Sequence, residues 1–123
     1  MLNFMPKAKK IKLRIYIAGA GGMLGEAFKR VFGRDNELIC SDIDVNEPWL
    51  NYCDFRDLIS YRKSVLEASP DFLFHIGALT DLEYCERNIT NCFMTNTFGV
   101  RNACSISAEL RIPILYISTA GIF

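Results

Sequence analysis

The sequence predicts an α/β fold in which a parallel β-sheet, half of a doubly wound sheet, carries helices on both faces. Segments rich in β-branched residues alternate with segments of helical periodicity, and a glycine cluster, GAGGMLG (19–25), separates the first strand from the first helix. Strands that alternate with helices form parallel sheets, because their right-handed crossovers pack the helices against the sheet. We therefore expect the four predicted strands to lie in the order 3-2-1-4.

The first half of the chain contains two strand–helix pairs. Residues 12–18 are rich in β-branched side chains and form the first strand, and residues 23–32 place apolar side chains at the spacing of an amphipathic helix. ELICSD (37–42) is the second strand. A helix over 55–68 follows, with Asp54 placed to cap its first turn and a serine–proline pair placed to end it.

The second half contains two further strands and one long helix. FLFHI (72–76) is a continuous apolar run, which is typical of a strand buried on both faces of a parallel sheet. A helix over 89–110, interrupted at Gly99, leads to a fourth strand, IPILYIS (112–118). No fifth strand is predicted beyond the fourth. The fourth strand therefore has an open edge, which predicts self-association or a partner that covers this edge.

Length and charge set the domain organisation and exclude some classes of partner. The 123 residues predict one domain over 12–123, preceded by a basic, solvated lead-in over 1–11. Because 14 basic and 14 acidic residues cancel, no global charge would attract nucleic acid or an anionic membrane. No apolar run approaches the roughly 20 residues that a membrane-spanning helix needs. We predict neither nucleic-acid nor membrane binding.

The cysteines and acidic residues predict no covalent framework and no metal site. The five cysteines are Cys40, Cys53, Cys85, Cys92 and Cys104. Their odd number and the lack of a C-x-x-C pair predict reduced thiols and a cytoplasmic chain. An acidic cluster around Cys85 lacks regular ligand spacing, which argues against a metal. His75, the single histidine, is predicted to be a packed, hydrogen-bonded residue of its strand.

The glycine cluster predicts a phosphate-binding corner of the Rossmann type. Gly19, Gly22 and Gly25 follow a G-x-x-G-x-x-G spacing between strand and helix. They would provide a turn without Cβ atoms, a backbone path close to a pyrophosphate and a helix that packs closely on the first strand. The helix N-terminus would offer unpaired N–H groups and a partial positive charge to the phosphates. The alternative is a tight strand–helix turn without a ligand.

An acidic residue at the end of the second strand predicts the cofactor. Asp42 lies 23 residues after Gly19, close to the separation at which a carboxylate accepts hydrogen bonds from an adenosine ribose. We expect NAD or NADP, with NAD favoured because the acid would repel the 2′-phosphate of NADP. Asp44 is the second candidate for this position, and the alternative for either residue is a solvated loop acid.

Five stretches together resemble a known family. They are GAGGMLG (19–25), CDFRD (53–57), HIGALTDLEYCE (75–86), NTFG (96–99) and YISTAGIF (116–123). In this order and spacing the chain resembles the N-terminal half of an extended short-chain dehydrogenase/reductase, and most closely the dTDP-4-dehydrorhamnose reductase type.

The resemblance implies roles for residues around the cofactor. The residues implied along the pyrophosphate are Gly22, Met23 and Leu24, and those at the adenine are Asp54 and Phe55. Those implied beneath the ribose and phosphates on the nicotinamide side are Gly77, Ala78 and Leu79. Asn96 would help to hold the active-site end of the sheet.

The resemblance also implies a catalytic group, Thr119, whose hydroxyl would hydrogen-bond the substrate carbonyl or alcohol; the alternative is a strand-end threonine. The family relies on a Tyr-x-x-x-Lys pair for proton transfer. None of the five tyrosines has a lysine four residues later, and the last lysine is Lys63. Ala120 and Gly121 also replace the Asp-Tyr that commonly follows the threonine.

The predicted function is therefore the NAD(P)-binding portion of a sugar-nucleotide reductase, epimerase or dehydratase, shortened before the Tyr-x-x-x-Lys helix. We expect this portion to be catalytically incomplete, with a nucleotide-sugar substrate only in an intact enzyme. The alternative is a non-enzymatic cofactor-binding or regulatory module of the same fold.

Overall fold

The computed structural model describes residues 11–118, which form five strands and five α-helices. The strands are β1 (Arg14–Ala18), β2 (Glu37–Asp42), β3 (Leu50–Tyr52), β4 (Phe72–His75) and β5 (Ile114–Tyr116). The helices are α1 (Met23–Phe32), α2 (Leu58–Ala68), α3 (Leu82–Arg87), α4 (Ile89–Phe93) and α5 (Gly99–Leu110), with a π-helical segment, Met94–Phe98, between α4 and α5. Most of the predicted lead-in and the implied catalytic Thr119 lie outside the described residues.

The five strands form one parallel sheet in the order β3-β2-β1-β4-β5. The first four observed strands therefore lie in the order 3-2-1-4, but the third and fourth of them are not the segments that were predicted for those places. The run 72–76, predicted as the third strand beside β2, pairs with β1 instead. The place beside β2 belongs to β3, a three-residue strand that the sequence pattern did not reveal.

Two apolar clusters, one on each face of the sheet, confirm that helices cover both faces. Side chains alternate along a strand, so Tyr16 of β1 enters one cluster and Ile15 and Ile17 enter the other. The first cluster includes Tyr61 and Val65 of α2, and Phe28 and Phe32 of α1 pack against the second. β1 thus lies at the centre of the fold.

The predicted helices are present, but the cap of α2 is not the predicted residue. Asp57, rather than Asp54, precedes the helix, and its carboxylate accepts hydrogen bonds from the backbone N–H groups of Ile59 and Ser60. Asp54 lies too far before Leu58 to serve the first turn, and it pairs with Arg56 instead. The helix ends at the expected place, where the next residue adopts a left-handed conformation with φ 45°.

The region predicted as one helix over 89–110 is divided. α4 ends at Phe93, the chain passes through the π-helical segment, and α5 begins at Gly99. A further helix, α3, precedes this region and was not predicted.

Cys85 of α3 and Cys92 of α4 form a disulfide, so the predicted reduced state is wrong for these two cysteines, while Cys40, Cys53 and Cys104 are free.

At one end of the described sheet, β5 is an outer strand. The consecutive side chains of Leu115, Tyr116 and Ile117 are between 37% and 50% exposed.

None of the helices formed by residues 11–118 combines the length and the apolar character that crossing a bilayer requires.

Candidate functional site

The carboxyl ends of β1, β2 and β4 meet at one edge of the sheet, where the glycine turn begins. The backbone N–H groups of Gly19 and Ala20 donate to the carbonyl of Ser41 in β2, at 2.9 and 3.0 Å. On the other side, the N–H of Gly77 donates to the carbonyl of Ala18 at 3.2 Å. Backbone hydrogen bonds alone therefore connect the turn region to both neighbouring strands.

Two glycines are required here by close backbone contacts. Gly19 has φ +80°, and a Cβ on it would lie 2.2 Å from the Cα of Gly77. A Cβ on Gly25 would lie 2.0 Å from the carbonyl oxygen of Ala20. No side chain fits at such distances, so these glycines allow α1 and the loop after β4 to approach the turn.

Gly22 has a different environment, because a Cβ on it would meet nothing within 4 Å. It is the residue that precedes α1, and no side chain of the described residues caps this helix. The side chain of Met23 is 91% exposed, and Leu24 is also exposed. The N-terminus of α1 therefore opens to solvent with its first N–H groups available to an anion.

Asp42 lies at the same corner. Its Oδ2 accepts a hydrogen bond from the backbone N–H of Gly21 at 2.8 Å, and its Oδ1 accepts one from the N–H of Asp44 at 3.1 Å. Of the two candidate acids, Asp42 is thus the one whose carboxylate contacts the glycine turn. Asp44 is exposed and contributes its backbone to this arrangement.

An open groove of about 940 Å³ leads away from this corner. It begins at Gly21 and Gly22, follows α1, and is closed on its far side by the loop after β2, which includes Trp49. The ammonium group of Lys29 lies 4.8 Å from the centre of the Trp49 ring. The corner is therefore accessible, and the groove beside it is lined by apolar, basic and acidic side chains.

The two residues implied at the adenine have separate partners in the structure. The guanidinium of Arg56 pairs with Asp54 through two hydrogen bonds, of 2.9 and 2.8 Å, and this contact holds the pKa of the Asp54 carboxyl below its usual value. Arg56 also donates to the side-chain carbonyl of Asn91 in α4. Sequence reasoning gave Arg56 no role, although it stands within the resembling stretch CDFRD.

The ring of Phe55 packs inward beneath the loop after β4. A Cβ on Gly77 would lie 2.5 Å from this ring and one on Gly99 would lie 2.6 Å from it, so both glycines make room for it. The ring also contacts His75 edge to face, at 4.5 Å between centroids. Asn102, another residue that sequence reasoning missed, donates to the backbone carbonyl of Phe55 at 3.0 Å. Phe55 is thus a packing element of the site.

Asn96 holds the loop after β4 by two hydrogen bonds to one residue. Its Oδ1 accepts from the backbone N–H of Leu79 at 2.8 Å, and its Nδ2 donates to the carbonyl of Leu79 at 2.9 Å. Asn96 belongs to the π-helical segment, so this pair of bonds joins that segment to the loop over 77–79. Ala78, between Gly77 and Leu79, is exposed.

His75 is buried at the end of β4 with none of its surface exposed. Its Nδ1 lies 2.9 Å from the hydroxyl of Tyr61, which confirms the predicted packed, hydrogen-bonded state. Its Nε2 has no hydrogen-bond partner among residues 11–118. Burial lowers the pKa of His75 to about 4, so the imidazole is neutral at neutral pH.

Two of the acidic residues around Cys85, Asp81 and Glu83, have structural partners. The carboxylate of Asp81 caps α3 by accepting from the N–H of Tyr84 at 3.0 Å, and Glu83 pairs with Arg87. Across residues 11–118 no group of three or more metal-ligating side chains is placed to hold an ion.

Comparisons with known proteins give one family and a consistent fold. Residues 13–123 match the family described as the RmlD substrate binding domain. A dTDP-4-dehydrorhamnose reductase from Sinorhizobium fredii is 24% identical over 111 residues, which cover 90% of this chain and 35% of that protein. The chain spans only 35–37% of the length of the curated relatives it matches.

Solved structures share the fold of this chain. The dTDP-4-dehydrorhamnose reductase from Bacillus anthracis, solved in complex with NADP, superimposes with a TM-score of 0.80 at 24% identity, over 92% of this chain and 38% of that one. The enzyme WbmH from Bordetella bronchiseptica, solved with NAD+, superimposes with a TM-score of 0.75 at 17% identity, over 89% of this chain and 40% of that one. The comparisons confirm the predicted resemblance to extended short-chain dehydrogenases/reductases.

Proposed function

Because the chain belongs to the RmlD substrate-binding domain family, we propose that it is the NAD(P)-binding portion of a sugar-nucleotide reductase, epimerase or dehydratase. One observation carries the proposal: the uncapped N-terminus of α1 opens to solvent at Gly22, next to the carboxylate of Asp42. This corner combines donors for a diphosphate with an acceptor for the attached ribose.

The residues at the corner fit the two halves of an adenosine diphosphate. The N–H groups of Gly22, Met23 and Leu24 would receive the pyrophosphate, and no side chain stands in its way at Gly22. Each oxygen of Asp42 accepts one backbone hydrogen bond, and a carboxylate oxygen can accept a second from a ribose hydroxyl. Since the carboxylate would repel a 2′-phosphate, we propose NAD rather than NADP as the preferred cofactor.

The nicotinamide side of the cofactor would lie over the loop 77–79, which Asn96 holds in place. When bound, the nicotinamide would exchange a hydride with a carbon of the sugar. Thr119 would hydrogen-bond the reacting oxygen of a nucleotide-sugar substrate. Because the 123 residues contain no Tyr-x-x-x-Lys pair to transfer the proton, we expect cofactor binding without turnover.

A substitution at Gly22 tests the proposal without disturbing the fold. A side chain at this position meets no protein atom, and an aspartate that precedes a helix stabilises it by capping. The variant Gly22→Asp should therefore melt at or above the temperature of the unaltered chain, yet bind NADH at least about tenfold more weakly, because its carboxylate faces the pyrophosphate. Calorimetric titration measures the affinity. NADH binding that is equal in both proteins would refute the proposed site, as would no binding by the folded unaltered chain.

The alternative is a non-enzymatic cofactor-binding or regulatory module of the same fold, and Ala120 and Gly121, which replace the Asp-Tyr common in the reductase type, favour it. In that case the outer edge of β5, with its exposed Leu115 and Tyr116, would associate with a second copy or with a partner. Sedimentation over a range of concentrations would measure self-association. A coding sequence for a Tyr-x-x-x-Lys segment directly downstream would favour the enzyme instead.

We also propose the cytoplasm as the compartment. Three of the five cysteines are free thiols. A single disulfide is compatible with a reducing compartment when it is transient, since cytosolic disulfides are usually catalytic or redox-sensing.

A further inference from the structure

The disulfide between Cys85 and Cys92 lies in a part of the molecule that has little else to hold it. It joins α3 to α4, with 5.3 Å between the two Cα atoms. We refer to residues 82–93 as the α3–α4 hairpin. Leu82 is 75% exposed and Ile89 is 72% exposed, so the hairpin buries little apolar surface. Segments of this kind open locally at low free-energy cost.

Among the described residues 11–118, few other hydrogen bonds tie the hairpin to the rest of the domain. Asn91 accepts a hydrogen bond from Arg56 and donates one to the hydroxyl of Tyr84 at 2.8 Å, within the hairpin. Arg56 also forms a salt bridge with Asp54, so its guanidinium interacts with two partners at once. The disulfide is therefore a major constraint on how α3 is positioned against α4.

The two sulfur atoms also touch both partners of the bonds that fix the loop after β4. The Sγ of Cys85 lies 3.9 Å from the carbonyl oxygen of Leu79. The Sγ of Cys92 lies 3.4 Å from the Nδ2 of Asn96, which donates to that same carbonyl. The disulfide thus packs against the Asn96–Leu79 contact on one side and closes the hairpin on the other.

We propose that Cys85 and Cys92 form a reversible redox switch whose disulfide state orders the loop over 77–79 and thereby strengthens cofactor binding. The part of this inference that concerns affinity rests on the proposed NAD(P) site. In the oxidised state the Asn96–Leu79 contact is pre-formed, so binding does not have to order the loop. In the reduced state the hairpin loses its covalent link, and the loop has to be ordered when the cofactor binds.

The redox step needs an external disulfide as oxidant, and a low-molecular-weight disulfide supplies it. One cysteine thiolate attacks the external disulfide and releases the first thiol, leaving a mixed disulfide. The second cysteine thiolate then displaces the second thiol and forms the Cys85–Cys92 bond. The two cysteines together lose two electrons and two protons, and the external disulfide becomes two thiols. Both cysteines are half-buried, so such reagents can reach them.

The experiment equilibrates the 123-residue chain with mixtures of reduced and oxidised glutathione. Alkylation and mass spectrometry give the fraction of Cys85–Cys92 disulfide, hydrogen exchange gives the protection of the Leu79 amide and the α3–α4 hairpin, and calorimetry gives the affinity for NADH. We expect the disulfide form to protect the Leu79 amide more strongly and to bind NADH about fivefold more tightly, the lower end of ordinary coupling between two sites.

Two variants serve as controls. The double variant Cys85→Ser, Cys92→Ser should match the reduced protein at every glutathione ratio. The variant Cys104→Ser removes the exposed free thiol on α5 and should keep the full response, which separates this pair from general oxidation. If the double variant does not fold, the reduced and oxidised forms of the unaltered chain still provide the comparison.

Three results would overturn the proposal: no Cys85–Cys92 disulfide in excess oxidised glutathione, equal protection of the Leu79 amide in both states, or equal NADH affinity in both states. A failure of the proposed cofactor site gives a different result. In that case neither state binds NADH, while the exchange measurement still determines whether the disulfide orders the loop.

Discussion

Lowering the pH should destabilise this fold through a single buried histidine. His75 has no exposed surface, and burial lowers its pKa from 6.5 to about 4. In the unfolded chain the imidazole takes up a proton near pH 6.5, whereas in the folded chain it remains neutral down to about pH 4. Between these values the unfolded state binds more protons, so the free energy of unfolding must fall as the pH falls.

The size of this loss follows from the two pKa values. The difference between the two pKa values corresponds to about 3 kcal/mol once the pH is below both of them. Between pH 7.5 and pH 4.5, His75 alone should lower the free energy of unfolding by roughly 2 to 3 kcal/mol. That is a large fraction of the 5–15 kcal/mol that stabilises an ordinary domain.

Urea denaturation at half-unit steps of pH measures this loss. The matched control is His75→Gln, which keeps a polar side chain near Tyr61 but does not titrate. Other titrating groups, among them Asp54, contribute equally to both proteins and cancel in the difference. The difference in unfolding free energy should change with pH between 6.5 and 4 and level off above pH 7. A difference that is constant with pH would refute the reasoning.

Nuclear magnetic resonance provides an independent measurement. His75 is the single histidine of the chain, so its ring signals are unambiguous. We expect them to remain those of a neutral ring at pH 5.5. If the His75 ring signals of the folded protein titrated with a midpoint near pH 6.5, the ring would not be desolvated.

Two further predictions concern the glycine turn and the loop after β4. Gly25→Ala should destabilise the fold by about 1–3 kcal/mol or prevent folding, because its methyl group would lie 2.0 Å from a backbone carbonyl that cannot move aside. Gly22→Ala, where space is open, should cost less than about 0.5 kcal/mol in the same denaturation assay, and similar losses for the two variants would contradict the packing argument. Asn96→Asp should accelerate hydrogen exchange of the Leu79 amide region at neutral pH, because the carboxylate cannot donate to the Leu79 carbonyl and repels it. Unchanged exchange would mean that this contact does not hold the loop.

Much of the site could be predicted because its signals are local. The glycines of the turn and the acid that ends β2 occupy the start and end of elements with clear periodicity. Parallel strands align their carboxyl ends, so predicting the elements was enough to bring Asp42 to the glycine turn.

Other features could not be predicted because they depend on distant partners. β3 has three residues, of which Asn51 and Tyr52 are exposed, and it is a strand only because it pairs with β2. The cap of α2 was predicted at Asp54 because the helix was expected to begin at Phe55, whereas α2 begins at Leu58. The geometry favours Asp57, since Asp54 is taken by Arg56.

The sequence by itself therefore determined the class of fold, the glycine turn and the acid beside it, because these follow from short-range periodicity and from the conformations that glycine allows. Only the tertiary structure decided which strand lies beside β2, which thiols pair and which amide fixes the loop after β4. Cys85 and Cys92 meet because two short helices fold back on each other, and Asn96 reaches Leu79 because the π-helical segment carries it to that loop. Contacts of this kind depend on how separate elements pack, which no local pattern of residues encodes.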